Sequence, residues 1–226
     1  MEISYSLLPY IIASALVPIE ITFNILILNN PQKGVLKSLA FVAGMTTLRL
    51  LQGVIFGLIL FNSAAASAGP GGNGPVVLTL KLVLGILLLN NAYKKFRKEP
   101  DPDAPPPKWL TMVESVSLLN AFVMGFGIVA INPKLWVFTL GVISEIAEAQ
   151  LGQPSSTSAF LLFILLAQSL LLLPLLLKVI FPQKSVQLLS RISEWLIRNS
   201  GAIILMISLI FGSLFAYQGV TGLLGR

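Results

Sequence analysis

Six apolar stretches divide the chain, at roughly residues 3–28, 37–61, 75–93, 119–143, 158–180 and 200–220. A hydrocarbon core about 30 Å thick is crossed by about 20 helical residues. Lipid offers the backbone no partner outside its own helix. The pattern therefore predicts an all-α integral membrane protein with six transmembrane helices. Two further segments are amphipathic. In 185–198, Leu188, Leu189, Ile192, Trp195 and Leu196 share a helical face, opposite Ser190, Arg191, Glu194 and Arg198. In 108–117, Trp109, Leu110, Met112, Val113 and Val116 do the same. Both read as cytoplasmic interfacial helices with tryptophan at headgroup level.

The basic residues between the stretches set an orientation. Lys33 and Lys37 lie in the first connection, Lys94, Lys95, Arg97, Lys98 and Lys108 in the third, and Lys178, Lys184, Arg191 and Arg198 at the fifth. The second and fourth connections have none, and Arg226 alone lies on their side. By the positive-inside rule the basic connections are cytoplasmic and both termini extracytoplasmic. The sequence opens with Met-Glu-Ile-Ser-Tyr, without a basic leader, and the first stretch reads as a retained span.

Composition narrows the function. Of 226 residues, 55% are hydrophobic and 11% charged, against about 25% charged in soluble domains. Six spans leave no length for a separate soluble domain. The net charge of +6 reports topology rather than a nucleic-acid partner. Cysteine and histidine are both absent. Disulfides, thiol redox chemistry, Cys/His metal sites and histidine acid–base catalysis are thereby excluded. No metal, cofactor or enzymatic activity is expected.

The third connection is the main linker. Lys-Lys-Phe-Arg-Lys runs into Glu99-Pro-Asp-Pro-Asp-Ala-Pro-Pro-Pro107, a composition that favours extended chain. It separates a first three-helix unit (1–93) from a second (108–226), with 94–107 between them. The units echo each other. Ala15-Leu-Val-Pro18 matches Ala130-Ile-Asn-Pro133; Ala40-Phe41 with Arg49 matches Ala159-Phe160 with Gln168; Leu82-Val-Leu-Gly85 matches Leu209-Ile-Phe-Gly212. Three spans per unit make the two insert in opposite directions, the inverted-repeat plan of many secondary transporters. Pro18 and Pro133 each remove a helix hydrogen bond, which predicts broken helices in spans 1 and 4.

Charges inside the apolar stretches are costly, about 2.5–3.5 kcal/mol each at mid-membrane, and mark candidate sites. Glu20, Arg49 and Lys134 lie well inside; Lys81 is near enough to the end of span 3 to snorkel outward. Arg49, Gly53 and Gly57 share a face of span 2, so Arg49 points into the bundle. Glu20 and Arg49 form either a structural ion pair or part of a pathway. Three basic groups against one acidic favour an anion, and arginine offers a planar fork to carboxylate, phosphate or sulfate. Asn24, Gln52 and Asn132 add polar contacts. A divalent-cation exporter would show more oxygen-donor acids. Gly53-Val-Ile-Phe-Gly57 fits a helix-dimerisation pattern or packing within the bundle.

A family resemblance follows from these residues. Ala-x-x-Pro early in span 1, Ala40-Phe-Val-Ala-Gly44, Leu82-x-x-Gly-x-Leu-Leu-Leu-x-x-Ala-Tyr93, Pro107-Lys-Trp109, and Ala121-Phe-x-x-Gly-x-Gly with Asn132-Pro-Lys134 resemble the GAP/Sap family. These are the glycopeptidolipid- and sulfolipid-addressing proteins of the LysE transporter superfamily. The resemblance implies a six-span inverted repeat, often a homodimer, that helps complex lipids cross the bacterial inner membrane, with Asn132, Pro133 and Lys134 as motif positions. Glu20 stands where an apolar residue or proline is expected. Three functions remain open: transport of an anionic or glycosylated lipid, export of a small anionic or zwitterionic metabolite, and a scaffold for lipid export or synthesis machinery.

Overall fold

The computed structural model describes residues 2–67, 75–97 and 116–225. Among them are nine helices and no strand. In chain order these are α1 (Glu2–Ala15), α2 (Pro18–Leu28), α3 (Gly34–Ser67), α4 (Pro75–Arg97), α5 (Leu118–Ile131), α6 (Pro133–Glu148), α7 (Ser155–Ala167), α8 (Ser169–Ile180) and α9 (Lys184–Leu223). α9 and the first 25 residues of α3 are each long and apolar enough to cross a membrane. Three bent pairs also qualify when each is taken as one span: α1 with α2, α5 with α6, and α7 with α8. Length and composition thus support two to five candidate spans, where the sequence predicts six. The difference lies in α4. It is helical throughout but is not among the candidate spans found over the described residues.

The two prolines restart helices after near-identical breaks. Val17 (φ −97°, ψ 100°) and Asn132 (φ −98°, ψ 102°) are both extended, because a following proline ring crowds the helical conformation of the residue before it. Pro18 and Pro133 then open α2 and α6, where a missing N–H costs nothing. The bends are 54° between α1 and α2 and 72° between α5 and α6. Trp136 Nε1 donates to the Ala130 carbonyl at 2.9 Å, satisfying one acceptor that the second break releases. A third bend, of 58°, was not predicted. It falls at Gln168, with no proline or glycine at that turn.

Two expectations about the connections change. Segment 185–198 is not a separate interfacial helix but the start of the 40-residue α9. Its apolar face is split: Leu189 and Leu196 are buried, while Leu188 and Trp195 are exposed. α4 runs through Arg97, so the first four residues of the linker expected at 94–107 are helical. Residues 98–107 and the amphipathic segment up to 115 lie outside the described residues, as does the glycine-rich run 68–74.

Small residues let the helices close on one another. α3 crosses α5 with Gly44 against the Phe122 carbonyl and Gly125 against the Phe41 carbonyl, positions at which a Cβ would strike backbone. α4 lies antiparallel along α9, with Gly85 facing Ala216 and Gly219 facing Leu82. The core between the helices holds Phe41, Met45, Phe163, Leu84, Leu88 and Phe215, all essentially inaccessible.

Candidate functional site

Buried polar side chains collect in two places. The first lies between α2, α3, α7 and α8. Arg49, on α3, is 1% exposed, and its Nε and Nη1 have no hydrogen-bond partner. Its guanidinium sits over the Phe163 ring of α7, 5.9 Å from the centroid, a cation–π contact that recovers part of the lost hydration. Glu20 is 2% exposed, with Oε1 unpartnered. The two are close enough to feel each other's charge but do not reach ion-pair distance. Gln52 is buried one turn beyond Arg49, with both amide atoms unpartnered. Gln168, at the third bend, accepts from Thr46 Oγ1 at 2.9 Å and leaves its own Nε2 unpartnered. Buried polar atoms are nearly always hydrogen-bonded. This group leaves open bonding capacity that no protein atom uses.

Asn24 stands apart from that group in its bonding. Its Nδ2 donates to the Leu171 carbonyl at 2.7 Å, and its Oδ1 accepts from Ser38 Oγ at 2.7 Å. It straps α2 to α3 and α8. Asn132 lies on a different surface. It shares a small crevice of about 90 Å³ with Val17, Pro18, Leu135, Leu88 and Ser208. Both proline breaks therefore open onto one crevice between α2, α6 and α9. The side chains at 133 and 134 are not among those described.

The second buried group was missed in the sequence. Lys81 Nζ pairs with Glu145 Oε1 at 2.6 Å, both side chains under 10% exposed. Tyr10 OH donates to the same oxygen at 3.4 Å, its ring stacked on Phe215 at 4.8 Å and packed on Gly141. Lys81 does not snorkel; it is held inside by a partner. The signal for Glu145 was the spacing of Leu135, Phe138, Val142 and Ile146, all buried. That spacing carries α6 to Glu148 and places Glu145 in a helix rather than in the fourth connection. The correction alters the charge count. Among the described side chains, Glu20 and Glu145 balance Arg49 and Lys81, so the excess of buried positive charge expected from the sequence is not found among them.

Over residues 7–221 the chain matches the family model described as Sap, sulfolipid-1-addressing protein. The chain belongs to the Sap family. No curated protein and no solved structure matches it. The match runs over most of the chain and agrees with the family resemblance of its motifs. Membership in the Sap family suggests a role in lipid addressing or export.

Proposed function

We propose that this Sap-family protein is a carrier, not an enzyme, that moves an anionic or glycosylated lipid across the bacterial cytoplasmic membrane. The observation that supports it most is the buried set of Arg49, Gln52 and Glu20, in which Arg49 Nε and Nη1, both Gln52 amide atoms and Glu20 Oε1 find no protein partner, with Glu20 two residues past the break at Pro18. Donors left open inside a bundle suit a polar cargo passing through. In this reading α4 is the sixth span, and the two units are inverted repeats. Packing supports the repeat: exchanging spans 1, 2 and 3 for 4, 5 and 6 maps α4 against α6 onto α9 against α2, and α3 against α5 onto α7 against α1. The two breaks share their dihedrals and face one crevice. The basic connections are cytoplasmic, and homodimer formation or docking of lipid-synthesis machinery are further features of the same proposal.

One observation favours the second reading, export of a small metabolite. The unpartnered atoms of Arg49 and Gln52 are closed off from the surface, a geometry that suits a compact solute better than a headgroup trailing chains. Transfer between leaflets separates the two. In proteoliposomes, wild type is expected to move a headgroup-labelled lipid at least tenfold faster than Lys134→Ala or the double variant Glu20→Gln/Arg49→Met, a loss of about 1.4 kcal/mol or more. The double variant is expected to keep its thermal stability, because apolar or neutral replacements of buried charges are often neutral or stabilising. Equal lipid rates in all three proteins would sink the proposal, and uptake of a small anion into inverted vesicles by wild type alone would establish the second reading.

A further inference from the structure

A half-open groove of about 300 Å³ runs between α3, α6 and α7, at the lower end of ligand-sized pockets, which span about 300–1,000 Å³. One wall is α3 from Leu50 to Leu58, about 12 Å of helix. The floor is made by Gly53, on which the Phe160 ring rests directly. Ile143 and Leu161 close the other side. Polarity is confined to one end, where Gln153, Ser156 and Thr157 enter the lining. Ser156 is 3% exposed, and its Oγ has no protein partner. Thr157 Oγ1 donates to Gln153 Oε1 at 2.6 Å, which holds the amide at the mouth. No charged side chain lines the groove.

We propose that this groove seats one acyl chain of a lipid with an uncharged, hydroxyl-rich headgroup, held at the polar end by Ser156, Gln153 and Thr157. This inference rests on the lipid-carrier reading and locates its cargo. Hydroxyls and an amide both donate and accept, which suits a sugar. The apolar wall suits a methylene chain. The groove lies toward the end of the bundle opposite the basic connections, because α3 runs away from Lys33 and Lys37 and the turn between α6 and α7 closes that end. It also backs onto the buried polar group. Phe160 packs on Phe163 at 6.0 Å, and Phe163 lies under Arg49 at 5.9 Å. One aromatic pair therefore separates the groove from Arg49. A second copy of the chain fits this surface poorly, since close helix approach through Gly53 is already used by Phe160.

The test uses the full chain in nanodiscs with diazirine-bearing lipids of one acyl chain and three headgroups: glucosyl, phosphocholine and phosphoglycerol. The glucosyl probe is expected to label peptides around Val54, Leu58 and Leu161 most strongly. Val54→Trp and Leu161→Trp fill the groove from positions already 63% and 49% exposed, so the core is untouched. Each is expected to lower labelling roughly tenfold, the equivalent of two lost methylenes. Ser156→Ala removes a hydroxyl with no protein partner and is expected to erase the headgroup preference while acyl labelling persists. Equal labelling by all three probes, or no change in the Trp variants, would mean bulk bilayer lipid only and overturn the proposal. So would disulfide-linked dimers through Val54→Cys together with loss of wild-type labelling. Leaflet transfer measured on the same preparations keeps the two claims separate. Selective labelling without transfer defeats the carrier reading and leaves the seat. Transfer without selective labelling defeats the seat alone.

Discussion

A lysine and a glutamate buried in an apolar bundle are tolerable only together. The 2.6 Å contact of Lys81 with Glu145 joins α4 to α6, and the Tyr10 hydroxyl brings in α1. Removing one partner strands the other charge, which costs about 3–5 kcal/mol. Lys81→Met and Glu145→Gln are each expected to lower Tm sharply in detergent, and Lys81→Met/Glu145→Leu to recover most of the loss. Single variants as stable as wild type would show that water reaches the pair. Of the buried charges, Arg49 was readable as inward-facing because Gly53 and Gly57 continue its face of α3. Glu145 was not, because a glutamate after an apolar run resembles the first residue of a loop. Only the buried period through Ile146 says otherwise.

Helices carry their own punctuation, and its strength decided what the sequence foretold. Proline acts on the residue before it by direct steric contact, so the breaks at Val17 and Asn132 were visible in advance. The bend at Gln168 has no such local cause, and α9 has no breaker strong enough to separate its amphipathic start from its apolar end. Glycine is less readable, because its meaning depends on what lies opposite. The Ala121-Phe-x-x-Gly-x-Gly motif holds two glycines on α5 with opposite surroundings. A Cβ on Gly125 would meet the Phe41 carbonyl, whereas one on Gly127 would meet nothing within 4 Å. Gly125→Ala must push α3 and α5 apart and is expected to cost about 1–3 kcal/mol, as overpacking does. Gly127→Ala should be neutral or gain about 0.4–1 kcal/mol by restricting the unfolded chain. Thermal or denaturant unfolding of the two variants measures the contrast, and equal losses would mean that the α3–α5 crossing is looser than these contacts imply.

At the scale of the whole molecule, function depends on which way the bundle faces. α9 is about 60 Å long at 1.5 Å per residue, twice the hydrocarbon thickness of about 30 Å, so one end of it must leave the bilayer. The basic residues between Lys184 and Arg198 assign that role to its start, on the same side as Lys33 and Lys37. The turn between α6 and α7 then lies on the opposite side, and the polar end of the α3–α6–α7 groove with it. A chain without cysteine makes this directly measurable. Single cysteines at the exposed positions Gln32, Ala149 and Gln183 sample both faces. In intact cells an impermeant maleimide is expected to label Ala149→Cys, and to label Gln32→Cys and Gln183→Cys only after permeabilisation. The reverse pattern would invert the positive-inside assignment. It would also move the proposed acyl seat to the cytoplasmic end of the bundle. Labelling of all three positions in intact cells would break the split of charge between connections on which the orientation rests.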